Sequence, residues 1–440
     1  MKLKRKIELS SFQIILLSFA GVILIGALLL MLPVSNREGA WTPFVDSLFT
    51  SVSAVCVTGL IVFDTAAHWS IFGQIVILLL IQIGGMGVVT VAVSFAFLSG
   101  RKIGLFGRDT IKESLSAPNT GGIVRLTKFI LKGIFLIELV GALVMLPVFC
   151  IDYGAYGIWL AIFHSISAFC NAGFDIIGSP TGSLTPYAAH PLINIIIMLL
   201  IIIGGIGFLV WEDVCVHKWR LSKYRLQSKV VLLVSGVLIL LPALWFFFFE
   251  FETLPIGERI FLSLFQSVTT RTAGFNTADL TAISEPSRGL MTALMLIGGS
   301  PGSTAGGMKT MTIAVLFAVA LSVFRNKSEV SMLKRRIDDG AVKHAVAIFL
   351  RYLSLFLVGG FLISVAENLP LSDCLFEAAS AMGTVGLSLG ITPTLGIFSK
   401  IVLMVLMFIG RVGGLTLIYA TLGNRKNQVS KLPLEKITVG

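Results

Sequence analysis

A chain of 440 residues that is 55% hydrophobic and 13% charged, with a mean hydropathy of +0.93, is not a soluble globular protein. Its net charge of +11 does not mark a nucleic-acid surface, because the basic residues sit in short loops between apolar runs. Cys56, Cys150, Cys170, Cys215 and Cys374 are scattered without a Cys-x-x-Cys pair, which excludes a disulfide framework and a cysteine metal site.

Apolar runs long enough to span a bilayer are predicted at residues 12–33, 71–98, 129–150, 192–216, 230–250, 289–324, 342–366 and 398–422. The first follows Lys2, Lys4, Arg5 and Lys6 but has no small-residue cleavage site, so it is taken as a retained span rather than a signal peptide. Within each successive pair lies a shorter run: Phe44–Val57, Trp159–Asn171, Ile260–Thr270 and Cys374–Gly383. Runs of that length enter a membrane without crossing it. His164 reads as a packed helix residue, and Trp41, Trp69, Trp159, Trp211 and Trp219 as interfacial anchors near span ends.

Twenty-five basic residues fall on one side of this arrangement: the N-terminal four, Arg101–Lys128, Lys218–Lys229, Arg325–Lys343 and Arg425–Lys436. Five fall on the other: Arg37, Arg259, Arg271, Arg288 and Lys400. The positive-inside rule then makes both termini cytoplasmic and all four short runs extracellular. Contact of the basic face with membrane lipid is an accompanying expectation.

The chain repeats itself. Four glycines, Gly59, Gly173, Gly274 and Gly386, are separated by 114, 101 and 112 residues and follow the four short runs. The local sequences are Val57-Thr58-Gly59-Leu60, Asn171-Ala172-Gly173-Phe174, Thr272-Ala273-Gly274-Phe275 and Thr384-Val385-Gly386-Leu387. Phe49, Phe163 and Phe376 precede their glycine by ten residues and Phe265 by nine. A second motif follows in each unit: Ile83-Gly84-Gly85, Ile203-Gly204-Gly205, Ile297-Gly298-Gly299 and Ile409-Gly410-Arg411. Two motifs in the same order four times define an internal repeat. The predicted fold is therefore an all-α polytopic membrane protein of four pseudo-symmetric units, 1–100, 101–217, 218–325 and 326–440, around one pore.

Bare backbone at membrane depth is tolerated only where protein or water shelters it. Potassium-channel filters use Thr-Val-Gly-Tyr-Gly, whose carbonyls replace the ion's water shell; here Leu387 and Ser388 stand where Tyr-Gly would. Extended backbone aims successive carbonyls at one axis only if some residue adopts conformations that a Cβ disfavours, and glycine allows this. The motifs carry no acidic side chain, which suits a dehydrated monovalent cation rather than calcium or magnesium. The candidate filter is Val57, Thr58, Gly59, Asn171, Ala172, Gly173, Thr272, Ala273, Gly274, Thr384, Val385 and Gly386. The Ile-Gly-Gly set is assigned to close helix packing.

The four loop signatures and the fourfold unit resemble the Trk/Ktr/HKT superfamily of potassium transporters, most closely the bacterial Ktr membrane subunit, over nearly the whole chain. The resemblance implies one pore per protomer in a homodimer of the bacterial cytoplasmic membrane, with a cytoplasmic nucleotide-binding regulatory ring as partner. It also implies potassium as the transported ion, since Gly59 stands where sodium-transporting members carry serine, and it leaves sodium as a candidate modulator.

The sixth run is too long for one bilayer crossing, and its middle, Gly298-Gly299-Ser300-Pro301-Gly302-Ser303-Thr304-Ala305-Gly306-Gly307, should break the helix. A break at that depth must line a cavity. Gly302–Thr310 is not a phosphate loop, because Met308 interrupts the required Gly-Lys. Gly299, Ser300, Gly302, Ser303, Thr304, Gly306 and Gly307, with the intramembrane cations Lys309 and Arg411, form the candidate gate. Arg411 is expected to meet carbonyls freed by the break, and Arg271 to brace its loop through Glu258 or Asp279. Two other classes compete with a pore. A secondary carrier coupling sodium to potassium needs inverted halves. An enzyme needs a paired nucleophile and base, which the spans do not supply.

Overall fold

The computed structural model describes residues 10–88, 90–91, 105–114, 121–178 and 183–413. The basic residues at both ends, Arg101 and Lys102, and the distal ends of the runs predicted at 71–98 and 398–422 lie outside these. Helices Ser11–Met31, Ile123–Tyr153, Leu226–Glu250 and Asp339–Glu367 are long and apolar enough to cross a membrane. Each outer helix leads into a short helix: Phe44–Val55, Tyr156–Cys170, Ile256–Thr269 and Leu371–Gly383. Pro43, Pro255 and Pro370 introduce three of the short helices, with Asp46, Glu258 and Asp373 in the first turn, where a carboxylate complements the helix dipole.

After each loop comes an inner helix, Ile71–Met86, Pro191–Gly205, Glu285–Ile297 or Ile397–Val412. These are 13 to 16 residues long, too short to cross alone. All four meet a glycine with positive φ at or just beyond the Ile-Gly-Gly motif: Gly87 at 83°, Gly207 at 95°, Gly298 at 67° and Gly413 at 88°. The second inner helix resumes as Phe208–His217, bent by 99°. The run predicted as one span at 192–216 is thus bent within its length. Among the described residues four helices qualify, or five if the bent pair is one span. An apolar run records length and composition, not a reversal of φ at one glycine.

Small residues bring the layers together. In three units a serine of the short helix donates to an outer-helix carbonyl: Ser51 to Ile23, Ser165 to Glu138 and Ser267 to Ile239, at 2.6 to 2.7 Å. A Cβ on Gly84, Gly204 or Gly410 would overlap the carbonyl oxygen of Val55, Phe169 or Met382, near the end of the short helix of its own unit. The glycines of the inner motif therefore act in close backbone packing. Each inner helix also packs on the short helix of the next unit, and the fourth packs on the first, so the helices close into a ring. Phe49, Phe163, Phe265 and Phe376 are all fully buried.

Candidate functional site

The short helices end in the same backbone sequence. Val57, Asn171, Thr272 and Thr384, two residues before the loop glycines, have φ of 58°, 60°, 91° and 51°. The glycines Gly59, Gly173, Gly274 and Gly386 follow at 94°, 66°, 79° and 94°. Thr58, Ala172, Ala273 and Val385 between them do not share the positive φ. Alternating the sign of φ rotates successive peptide planes, so the carbonyls no longer point to opposite sides as they do in a strand. Left-handed valine and threonine are rare and persist only where the surroundings over-determine them.

The surroundings here are the other three loops. A Cβ on Gly59 would overlap Ala172 O; one on Gly173, Ala273 O; one on Gly274, Val385 O; and one on Gly386, Thr58 O. The same Cβ atoms would lie 2.9 to 3.3 Å from the Cα of the next glycine. The four glycines thus close a ring in the order one, two, three, four, one, with backbone packed on backbone and no space for a side chain. The twelve residues singled out from the sequence are brought together at this ring, and all but Gly386 are buried.

A supporting set escaped the sequence reading. Ser53, Ser167 and Ser380 precede their glycine by six residues and Thr269 by five. Ser53 Oγ accepts from Gly59 N at 3.1 Å and Ser380 Oγ from Gly386 N at 3.0 Å. Ser167 Oγ donates to Phe174 O at 2.8 Å and Thr269 Oγ1 to Phe275 O at 2.7 Å. The signal was a hydroxyl at a repeated offset, shortened by one in the third unit as the phenylalanine offset is.

The break in the third inner helix lies directly against this ring. Gly299 N is 3.4 Å from Gly306 O, so the segment folds back on itself between Ile297 and Thr310. Ser300 N donates to Gly205 O at 2.9 Å and Thr304 N to Gly204 O at 3.2 Å, which uses carbonyls freed by the bend of the second inner helix. Ser303 Oγ donates to Ser300 O, and Gly302 O accepts from Phe208 N at 2.7 Å. Gly307 packs against Gly298. Arg411 donates to the carbonyls of Thr304 and Gly84, and to Gly85 O at 3.2 Å. A half-buried guanidinium is tolerable when carbonyls satisfy its donors, and carbonyls are what Arg411 meets here. Lys309 Nζ caps Ala305 O at 2.5 Å and Gly306 O at 3.3 Å. All the candidate gate residues therefore belong to one connected segment or touch it.

Three expectations are corrected. Arg271 reaches neither Glu258 nor Asp279; its guanidinium lies on Ser235 O and Oγ at 3.4 and 3.3 Å, because the outer helix of its own unit packs against the short helix that Arg271 follows. Trp69 is fully buried beside His68, and Trp211 is buried with its indole donating to Ile203 O at 2.9 Å, so neither is an interfacial anchor. Trp159 is partly buried and donates to Gln74 Oε1, whereas Trp41 and Trp219 are exposed. His164 is packed as expected, with Nδ1 2.8 Å from Leu160 O. All five cysteines are free, and no metal-binding group of His, Cys, Asp or Glu occurs among the described residues.

A sequence model of the TrkH family, described as a cation transport protein, matches residues 9–422. The potassium/sodium uptake protein NtpJ of Enterococcus hirae is 39% identical over 452 residues, covering 100% of this chain and 99% of the relative. The Ktr system potassium uptake protein B of Bacillus subtilis is 38% identical, covering 93% and 92%. The crystal structure of the potassium transporter TrkH from Vibrio parahaemolyticus shares the fold, with a TM-score of 0.73 over 96% of this chain and 87% of that one at 20% identity.

Proposed function

The chain belongs to the TrkH family of cation transport proteins, and on that premise we propose that it takes up potassium through the ring of glycine loops. The observation that carries this is the closed contact Gly59–Gly173–Gly274–Gly386, which packs the four loops backbone against backbone. The carbonyls of the twelve loop residues replace the ion's water shell. The short helices end at the ring, so the negative ends of their dipoles favour a cation there. Segments 1–100, 101–217, 218–325 and 326–440 each supply one quarter of the ring. The named activities of the two curated relatives, both potassium uptake, support the choice of ion.

In this account the Gly298–Lys309 segment is the gate. It touches the second loop through Asn171 and the fourth through Thr384, which face each other across the ring, so the segment crosses the axis. Arg411 holds it there and adds a positive charge that opposes a cation. The protein acts as a homodimer in the bacterial cytoplasmic membrane, with both termini and its basic loops cytoplasmic. A nucleotide-binding regulatory ring docks on those loops, and the word system in the Bacillus relative's name supports a partner subunit. Sodium enters as a modulator or co-transported ion, a second reading favoured by the potassium/sodium name of the Enterococcus relative.

The test is growth and rubidium uptake in cells stripped of their own potassium-uptake systems. Expression of this chain should restore growth at low potassium and give rubidium uptake that potassium suppresses. Transport of a different solute without rubidium uptake would reject the reading.

A further inference from the structure

Thr304 is where the broken inner helix grips the glycine ring. Its hydroxyl accepts from Asn171 Nδ2 at 2.8 Å and donates to Phe169 O at 3.1 Å. Its amide donates to Gly204 O and its carbonyl accepts from Arg411. Two residues on, a Cβ at Gly306 would overlap Thr384 Oγ1. Asn171 and Thr384 occupy the same register in two facing units, each left-handed and each two residues before a ring glycine. Both are buried, and Asn171 Oδ1 and Thr384 Oγ1 have no hydrogen-bond partner among the described residues.

We propose that the gate and the filter are one coupled device, latched through Thr304–Asn171 and Gly306–Thr384, so that ion discrimination depends on the state of the gate. This rests on the pore account above. With the segment in place, the Thr304 hydroxyl fixes the Asn171 amide, whose other contact, Phe169 O, is 3.4 Å away. Left-handed backbone at Asn171 and Thr384 is sustained by what packs on it. Moving the segment removes that packing from two facing quarters of the ring at once. It also frees the Asn171 amide to turn and uncovers the Thr384 hydroxyl. Thr304 is a positioning residue, acting on the ion through Asn171. By linkage the coupling runs both ways, so the ion held in the ring must bias the segment.

The test uses the full chain in vesicles, with sodium competition against rubidium influx as the readout. Thr304→Val keeps the shape and removes the hydroxyl; Thr304→Ser keeps the hydroxyl. Thr304→Val should raise flux and lower discrimination between potassium and sodium, each by about fivefold, the size of the Asn171–Thr304 hydrogen bond that forms the latch. Thr304→Ser should restore both. Higher flux with unchanged discrimination overturns the coupling and leaves the gate standing. Unchanged flux and discrimination in the folded variant overturn both. Hydrogen exchange of the unaltered protein over residues 298–309 gives a measurement independent of any variant. The coupling predicts different protection in potassium and in sodium, and identical protection contradicts it.

Discussion

Lys400 Nζ lies 2.8 Å from Asp46 Oδ1, an ion pair between residues 354 positions apart. Asp46 is in the first turn of the first short helix and Lys400 in that of the fourth inner helix. The pair thus closes the seam between the two ends of the repeat, and the side chains are only 11% and 16% exposed. Removing one partner of so sheltered a pair leaves a charge without compensation. Lys400→Met or Asp46→Asn should destabilise the protein by on the order of 3 kcal/mol, while the double substitution should recover part of the loss. Thermal unfolding in detergent checks this; single variants as stable as the parent would show that the seam does not depend on the pair.

Arg411 ties the proposed gate to the first and fourth inner helices through the carbonyls of Thr304, Gly84 and Gly85. Each charge-assisted bond contributes about 1.5–3 kcal/mol. Arg411→Ala, or deletion of Ser300–Gly306, should raise flux per folded protein at least roughly tenfold without any partner. Arg411→Lys should fall between, because an ammonium lacks the planar fork that reaches several carbonyls. A segment that merely packs between helices would give a folded deletion with equal or lower flux.

The inner-helix glycines make a packing prediction that involves no ion. Gly84→Ala, Gly204→Ala and Gly410→Ala each force a methyl into a short-helix carbonyl and should cost about 1–3 kcal/mol. At Gly21, in the first outer helix, a methyl would meet nothing within 4 Å, so Gly21→Ala should be neutral or stabilising by about 0.5–1 kcal/mol. Melting temperatures of the four variants separate the two classes; a uniform response would mean that close approach is not what the inner motif provides.

Charge reversal tests the proposed docking face. Lys218→Glu with Lys223→Glu should weaken co-purification with a soluble nucleotide-binding ring, more so at low salt, since exposed charges are screened within about 8 Å at physiological ionic strength. Undiminished co-purification would remove those loops from the interface.

The repeat was legible because its cause is steric. Gly59, Gly173, Gly274 and Gly386 are needed where neighbouring backbone leaves no room, and the buried phenylalanines mark the short helices that carry them. The break at Gly298–Gly307 was legible for the same reason, as was the need of Arg411 for carbonyls. The bend at Gly205–Phe208 was missed although Gly204-Gly205-Ile206-Gly207 announces it, because the run beyond stays apolar. Partners distant along the chain were not legible at all. Nothing local says that Arg271 meets Ser235 on the outer helix of its own unit, that Thr304 meets Asn171 of another, or that each ring glycine abuts the next unit's carbonyl.

The central claim is that the four-glycine ring selects potassium, and the most direct measurement is the potassium-to-sodium preference of Gly59→Ser, Gly173→Ser and Gly386→Ser in vesicles. A Cβ at any of these positions meets the neighbouring unit's backbone and takes a left-handed φ that serine disfavours. Each substitution must therefore displace carbonyls of two adjacent units. Sodium should compete with rubidium in all three folded variants, while it does so weakly in the parent. An unchanged preference in all three would contradict the claim.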